Sequence, residues 1–211
     1  NQNARTSPGS IESLMKFSSS LAGHRSAGSV RRVRGKSSSA RNAIVPSMNL
    51  HALLSRRAAA GDPLRIALIG AGKFGSMYLS QIPRTPGMHL VALVDLSPDA
   101  ARDALARVGW PAERYAAASL DEACRHGTTR VDEDAAAAIA DPRIDIVVEA
   151  TGDPAAGIRH ALACIGHGKH VVMVNVEADA LAGPLLAARA RAAGTVYSLA
   201  YGDQHALVCE L

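Results

Sequence analysis

Residues 64–75 read Leu64-Arg65-Ile66-Ala67-Leu68-Ile69-Gly70-Ala71-Gly72-Lys73-Phe74-Gly75, an apolar run followed at once by a glycine-rich turn. The glycines have the spacing GxGxxG, and a helical pattern begins behind them. The first glycine allows a tight turn out of a strand, the second lets a pyrophosphate approach the backbone, and the third lets the helix pack closely on the sheet. A helix that begins here directs its free N–H groups at the phosphates. The motif predicts a dinucleotide-binding loop with six members: Gly70, Ala71, Gly72, Lys73, Phe74 and Gly75.

Asp95 follows this loop at the separation that dinucleotide sites use for an acidic residue. It lies twenty residues after Gly75, directly behind a second apolar run over 89–94. A carboxylate there accepts hydrogen bonds from both hydroxyls of an adenosine ribose and repels a 2′-phosphate. The nearest arginine behind it, Arg102, falls inside the next predicted helix. We therefore predict that Asp95 binds the ribose and that NAD is the preferred cofactor, with NADP as the alternative; the other interpretation of Asp95 is a cap before a helix.

Outward from the loop, short apolar runs alternate with helical patterns, which is typical of parallel βαβ units. Strands are predicted over 65–69, 89–94, 144–149, 170–175 and 195–200, with one more either near Tyr115 or over 129–131. Helices are predicted from the glycine loop to Pro83, over 98–108 with Ser97 as N-cap, over 133–140 with Asp132 as cap, over 154–166, and over a stretch ending at Gly194. The predicted fold class is α/β, a Rossmann-type doubly wound parallel sheet in three αβα layers.

A second part of the site is predicted behind the fourth strand, where residues 149–152 read Glu149-Ala150-Thr151-Gly152. Open α/β sheets bind ligands at the carboxyl ends of their strands. Small residues and a hydroxyl let the ribose and nicotinamide of a cofactor pass close to the backbone, so Ala150, Thr151 and Gly152 are predicted cofactor contacts. The alternative is a plain turn in which Thr151 or Asp153 caps the next helix, and the two interpretations are compatible.

The composition excludes several classes of protein. The chain of 211 residues is 48% hydrophobic and 20% charged, as in ordinary globular proteins. Only 3% of the residues are aromatic, which argues against a surface that stacks nucleic-acid bases, and no run of eighteen apolar residues suggests a membrane span. The net charge of +4 divides into +9 for residues 1–60 and −5 for residues 61–211, so the acidic main part is not expected to bind nucleic acid. The absence of a CxxC pair among Cys124, Cys164 and Cys209 favours a reducing, cytoplasmic location.

Three segments are predicted along the chain. Residues 1–47 are a basic Ser/Arg-rich leader that is predicted to be disordered. Three interpretations of it stay open: an organelle transit peptide, a polyanion-binding cluster, or a non-native extension ahead of a translation start at Met48. Residues 48–63 are predicted as a short helix and linker. Residues 64–211 are predicted as the dinucleotide-binding domain, truncated at its C-terminal end because a helical pattern over 203–211 stops with the chain.

Three motifs together resemble the NAD(P)-binding domain of the homoserine dehydrogenase-like oxidoreductase family. They are the glycine loop, residues 149–152, and Gly168-Lys169-His170-Val171-Val172-Met173-Val174-Asn175. Tyr201-Gly202-Asp203-Gln204 is similar to the branch of that family that often carries a C-terminal SAF domain. The resemblance implies hydride transfer between NAD(P) and a small hydroxy or aldehyde metabolite, with Asn175 bordering the nicotinamide half. It also implies a following domain that supplies the substrate pocket and through which a homo-oligomer forms.

The chain departs from this family behind the strand that ends in Asn175. In homoserine dehydrogenases a lysine important to the active site follows that position, whereas here Val176 and Glu177 follow. A valine cannot supply the charge or the proton transfer of a lysine, so homoserine is not the expected substrate. Glu177 and Asp179 are candidates for the replacement catalytic chemistry. Their alternative interpretation is that of acidic residues favoured in the first turn of a helix.

Two other chemistries are weighed and set aside. His160, Cys164 and His167 share one face of a predicted helix, but no fourth ligand accompanies them, and we predict no metal site. Lys73 does not stand in the GxxxxGK[ST] order of an ATP-binding loop, so its alternative role is a solvated loop charge. Two alternatives to an oxidoreductase remain: a module that senses NAD(H) without catalysis, and an inactive fragment. The expected partner is a small-molecule substrate, with neither nucleic acid nor membrane.

Overall fold

A computed structural model describes residues 49–200 of the chain. Three sequence predictions lie outside these residues: the disordered leader over 1–47, the motif at 201–204, and the helix over 203–211. Within the described range, each helix falls short of the length and apolarity needed to cross a bilayer.

Helices and strands alternate along residues 49–200 as the sequence predicts. The strands are β1 Leu64–Ile69, β2 Met88–Val94, β3 Arg130–Asp132, β4 Ile146–Glu149, β5 His170–Met173 and β6 Tyr197–Leu199. The helices are α1 Leu50–Ala59, α2 Lys73–Gln81, α3 Pro98–Arg107, α4 Leu120–His126, α5 Ala135–Ala140, α6 Pro154–Gly166 and α7 Val176–Ala192. Short 3₁₀ helices cover Ile82–Arg84 and Ala112–Tyr115.

The six strands form one parallel sheet in the order β3-β2-β1-β4-β5-β6. The chain builds outward from β1 to β3 on one side and then returns to add β4 to β6 on the other. The strand order therefore reverses between β1 and β4, and the crevice at their carboxyl ends is where such sheets bind ligands. This topology confirms the predicted α/β doubly wound fold.

Alternate residues of the central strands face two separate cores. Ala67 and Ile69 of β1 pack among α4 to α7 on one face, whereas Ile66 and Leu68 pack on α2 and α3 on the other. All four side chains are buried. Because parallel sheets in α/β proteins are covered on both faces, their strands are apolar throughout rather than alternating. The three αβα layers follow from that pattern.

The structure differs from the predictions mainly between residues 110 and 135. Of the two predicted places for the third strand, Tyr115 lies in a 3₁₀ helix and the strand forms at Arg130–Asp132 instead. Helix α4 was not predicted. The cap of α5 is Asp134, whose carboxylate accepts from the Ala137 N–H at 2.9 Å, so the prediction of Asp132 was wrong. Asp132 is the last residue of β3 and pairs with Arg130 at 3.0 Å, two residues ahead of the N-cap position of α5.

Candidate dinucleotide-binding site

The glycine loop joins β1 to α2 at the reversal of strand order. Gly70 has φ +103°, and a Cβ there would lie 2.5 Å from the carbonyl oxygen of Ala150, so the loop behind β1 rests on the loop behind β4. A Cβ at Gly75 would collide with the carbonyl oxygen of Gly70, so helix and turn are in direct contact. Both positions require glycine for close backbone packing. The predicted roles of a tight turn and of close helix packing match this geometry.

Gly72 differs from the other two glycines because its missing side chain leaves open space. It is the N-cap residue of α2, is exposed, and a Cβ at this position would have no heavy atom within 4 Å. Because it is a glycine, Gly72 supplies no side-chain cap to α2. The first N–H groups of a helix have no intrahelical acceptor, and together they carry a partial positive charge. The backbone at Gly72 is therefore accessible to an anion such as a pyrophosphate.

The other members of the loop differ in their exposure to solvent. Lys73 is exposed, Ala71 is half-buried, and Phe74 packs against the core that β1 shares with α2 and α3. Phe74 therefore anchors the first turn of α2 through its ring, while its backbone belongs to the exposed turn.

Asp95 lies at the carboxyl end of β2 and contacts the glycine loop. One carboxylate oxygen accepts from the Ala71 N–H at 2.8 Å, and the other accepts from the Ser97 N–H at 3.0 Å. These bonds hold a half-buried carboxylate beside the loop. Each carboxylate oxygen can accept more than one hydrogen bond, so both keep capacity for the hydroxyls of a ribose. The helix cap at this point is Ser97, whose hydroxyl accepts from the Ala100 N–H, and not Asp95.

Glu149 is the last residue of β4, and its side chain is completely buried at 0% exposure. Its Oε1 accepts from the hydroxyl of Thr151 at 2.6 Å and from the Thr151 N–H at 3.4 Å. Nδ1 of His160, on the second turn of α6, lies 3.3 Å from the same oxygen. Oε2 has no hydrogen-bond partner among residues 49–200. The carboxyl group thus joins the exposed loop 150–153 to α6.

Asn175 braces the same loop from the neighbouring strand. Its amide Nδ2 donates to the carbonyl of Asp153 at 2.8 Å, and its Oδ1 accepts from the Ala178 N–H at 3.1 Å as the N-cap of α7. The side chain is only 2% exposed. Asn175 therefore holds the loop from beneath, and its direct contact with a cofactor stays a prediction.

Loop 150–153 presents its small residues to solvent at the crevice. Thr151 and Gly152 are exposed and Ala150 is half-buried. Asp153 caps α6, with its carboxylate accepting from the Ala156 N–H at 2.6 Å. The helix cap and the open loop coexist, as the two compatible interpretations of the sequence require.

The two candidate catalytic acids occupy different environments in the first turn of α7. Glu177 is exposed, whereas Asp179 is half-buried and accepts from the Tyr197 hydroxyl of β6 at 2.8 Å. Burial, and after it the Asp179 carboxylate, raise the pKa of Tyr197 above its ordinary value. Asp179 thus joins α7 to β6, and Glu177 is the more accessible acid of the pair.

The three residues weighed as zinc ligands do not converge. His160 lies beside Glu149, Cys164 is fully buried in the core, and His167 is exposed at the end of α6. Among residues 49–200, no group of three His, Cys, Asp or Glu side chains is placed to hold a metal ion.

We expect Cys164 to resist alkylation in the folded protein. Burial, and after it the negative charge of Glu149, raise the pKa of its thiol to about 12, so the reactive thiolate is scarce near pH 8. Iodoacetamide should therefore modify Cys164 only after unfolding in urea, and half-buried Cys124 provides an internal comparison that reacts first. Peptide mapping by mass spectrometry measures both rates. Equal rates in the folded protein would contradict the buried placement of Cys164.

Sequence reasoning missed the roles of Glu149, His160 and Gly157. A Cβ at Gly157 would lie 2.9 Å from Asn175 Nδ2 and 3.1 Å from Glu149 Oε2, so only glycine lets α6 pack on both side chains. One signal was available for Glu149, because a carboxylate at the end of an apolar run requires a partner. The sequence points to its partner His160 only as a possible metal ligand.

The chain is similar to known dinucleotide-binding proteins. A family model described as homoserine dehydrogenase, NAD binding domain, matches residues 70–199. Among solved structures, an NAD binding oxidoreductase from Klebsiella pneumoniae is 23% identical, with a TM-score of 0.51 over 69% of this chain and 37% of that one. A homoserine dehydrogenase from Thiobacillus denitrificans is 23% identical, with a TM-score of 0.52 over 65% and 29%. A myo-inositol dehydrogenase from Lactobacillus casei, in complex with NAD(H) and myo-inositol, is 18% identical, with a TM-score of 0.50 over 65% and 36%.

The extent of these matches has two consequences. This chain spans only about a third of the length of the solved structures that it matches, between 29% and 37% for the three named. At these identities the structural matches establish the fold alone. No curated protein matches the chain.

Proposed function

The chain belongs to the family of homoserine dehydrogenase NAD-binding domains, and we propose that it is the dinucleotide-binding portion of an NAD(P)-dependent oxidoreductase. The resemblance drawn from the residues is thereby confirmed at the level of the family. The oxidoreductase-type NAD(P)-binding domain follows from the family match. The substrate, the reaction direction and the individual contacts belong to the proposal.

The observation that carries this proposal is the open backbone at Gly72. The helix α2 begins there without a side-chain cap, and the space that a Cβ would fill is empty. A pyrophosphate placed there receives N–H donors and the positive end of the helix dipole. Asp95, held beside the loop by the Ala71 N–H, then faces the adenosine ribose. The residues present therefore fit a dinucleotide.

The remaining proposed contacts lie on the other side of the reversal point. We assign Ala150, Thr151 and Gly152 to the nicotinamide half, with Asn175 supporting them from beneath. When bound, the nicotinamide ring supplies or accepts a hydride. The protein's part is to orient the ring and to exclude water from one of its faces. Glu177 is the proposed acid or base on this chain because Asp179 is bonded to Tyr197.

The proposed substrate is a small hydroxy or aldehyde metabolite, and its pocket is assigned to a further domain. We propose that residues 64–211 form the dinucleotide-binding domain, that 48–63 link it to the basic leader, and that homo-oligomers form through the further domain. The reduced cysteines expected from the sequence agree with a cytoplasmic location. A longer protein carrying this domain should consume NAD when a metabolite of this class is supplied.

A module that senses NAD(H) without catalysis is the second candidate. Val176 and Glu177 stand where homoserine dehydrogenases have a lysine important to the active site. Of the two candidate acids, Asp179 already accepts a hydrogen bond from Tyr197. Tight NADH binding by a longer protein that never oxidises it across a panel of hydroxy and aldehyde metabolites would support sensing over catalysis.

Asp95→Ala is expected to weaken NADH binding by about tenfold, because charge-assisted hydrogen bonds to the ribose are lost. Binding of NADPH should change less, since the repulsion of its 2′-phosphate is removed at the same time. Fluorescence titration with both dinucleotides measures the two affinities. Asp99→Ala is the matched control. Asp99 has an exposed carboxylate in the first turn of α3, so this substitution removes an equal charge close to Asp95. An unchanged ratio of the two affinities in Asp95→Ala would contradict the ribose role.

A further inference from the structure

The buried carboxyl of Glu149 distributes its hydrogen bonds unevenly. Oε1 is contacted by the Thr151 hydroxyl, the Thr151 N–H and His160 Nδ1, whereas Oε2 has no partner among residues 49–200. A buried polar atom without a partner destabilises a fold. If this position had only a structural role, an apolar side chain like those of the neighbouring Val147 and Val148 would stabilise the fold better than a carboxylate. The position of Glu149 therefore calls for a functional explanation.

The geometry around Oε1 settles what the Thr151 hydroxyl can do. A hydroxyl has one proton to donate and two lone pairs to accept with. Thr151 donates its proton to Glu149 Oε1 at 2.6 Å, a short bond to a buried carboxyl. One lone pair faces the Asp153 N–H at 3.4 Å. Thr151 is an exposed residue, and with its proton given to Glu149 the hydroxyl can only accept through its other lone pair.

His160 completes this arrangement from α6. Its Nδ1 lies 3.3 Å from Oε1, and in the tautomer protonated at Nδ1 it donates to that oxygen. The ring is mostly buried, at 20% exposure. Together with the Thr151 N–H, it keeps Oε1 as the acceptor and so keeps the carboxyl in the rotamer that receives the threonine proton.

We propose that Glu149 is a positioning residue that, with His160, fixes the hydroxyl of Thr151 as an acceptor-only group at the edge of the crevice. This inference rests on the proposed function. An acceptor-only group selects a ligand atom that donates, so this edge takes a ribose hydroxyl or the carboxamide of the nicotinamide riboside. It disfavours phosphate and carboxylate oxygens, which bind instead at the N–H groups around Gly72. The division of the crevice into a donor half and an acceptor half orients the dinucleotide.

The test uses calorimetric titration of the 211-residue chain with NADH, ADP-ribose and ADP. Thr151→Val should lower the affinity for NADH about five- to tenfold and leave that for ADP unchanged, whereas Thr151→Ser should retain both. An equal loss for ADP-ribose identifies a ribose hydroxyl as the donor, and a loss confined to NADH identifies the carboxamide. Thr85→Val, at the amino end of β2 on the opposite edge of the sheet, is the matched control.

The role of Glu149 is tested by a double-mutant cycle. Glu149→Gln keeps the shape but can donate an amide N–H to Thr151, so NADH affinity should fall about as far as in Thr151→Val while ADP affinity is kept. The double variant should bind NADH no more weakly than Thr151→Val, because the glutamate acts through the threonine. Losses that multiply in the double variant, or that extend equally to ADP, would overturn the positioning role.

Two further outcomes separate this inference from the proposed function. A wild-type chain that binds NADH while Thr151→Val binds it equally well overturns the inference and leaves the proposed function standing. A wild-type chain that binds none of the three probes overturns both. Thermal unfolding is measured for each variant; if Glu149→Gln does not fold, the exposed pair Thr151→Val and Thr151→Ser still decides whether the acceptor exists.

Discussion

Gly72→Val is expected to abolish most NADH binding while lowering the free energy of unfolding by only about 1 kcal/mol, the usual cost of a poor N-cap residue. The new Cβ has no heavy atom within 4 Å, so the substitution causes no clash at the backbone. It occupies the volume through which a pyrophosphate reaches the N–H groups of α2. Loss of about two such hydrogen bonds to a charged group is worth about 3 kcal/mol, or about a 100-fold weaker affinity. NADH fluorescence titration and urea unfolding, run on the same preparation, measure the two quantities.

Gly166→Val provides the matched control for this variant. Gly166 is exposed at the far end of α6, and a Cβ there also has no heavy atom within 4 Å. The same chemical change at that position should leave NADH affinity at the wild-type value. If Gly72→Val bound NADH as tightly as Gly166→Val does, the phosphates could not lie on the backbone at Gly72.

Gly70→Ala is expected to have the largest effect on stability, lowering the free energy of unfolding by at least about 3 kcal/mol. Two causes add. The backbone has φ +103°, which L side chains rarely adopt, and the new Cβ would lie 2.5 Å from the carbonyl oxygen of Ala150. That oxygen belongs to backbone and cannot move aside as a side chain can. Relief of the contact must therefore separate the loops behind β1 and β4.

Gly109→Ala measures how much of the lost stability comes from the positive φ alone, without a steric contact. Gly109 has φ +86°, and a Cβ there would have no heavy atom within 4 Å. Its replacement should lower the free energy of unfolding by only about 1–2 kcal/mol. Urea denaturation of both variants gives the difference that belongs to the contact with Ala150. Equal costs in the two variants would mean that the two loops do not meet as closely as described.

The parts of the fold that the sequence predicted are those that short-range patterns determine. The glycine loop follows from the φ requirement and the close contacts of Gly70 and Gly75, and these constraints act within a few residues. The central strands are recognisable because burial on both faces leaves them apolar throughout. The helix over 98–107 follows from Ser97 and Pro98, which together mark a helix start.

The parts that were missed depend on partners distant in the chain. Asp132 resembles a helix cap when read alone, but its strand pairs with β2 and its carboxylate turns to Arg130. Helix α4 has only seven residues, too few for a clear apolar period. Lys169 looks like a surface residue in the sequence, yet it is buried and donates to the carbonyls of Asp141 and Ile144 at 2.7 Å.

The same reason explains which parts of the candidate site were found. The glycine loop and Asp95 carry a motif in their own types and spacing, so they could be assigned without a structure. Glu149 and His160 carry none, because their contact exists only once α6 packs on β4. Asn175 was assigned to the nicotinamide half from family resemblance, and the structure adds that its side chain holds the 150–153 loop.

The most direct test of the proposed cofactor site is a crystal structure of this chain grown with NADH. We expect the pyrophosphate oxygens at about 3 Å from backbone N–H groups between residues 72 and 74, with the adenosine ribose against Asp95 and the nicotinamide riboside beside Thr151. A structure in which the glycine loop makes no contact with the phosphates, while the dinucleotide lies elsewhere on the chain, would contradict the account.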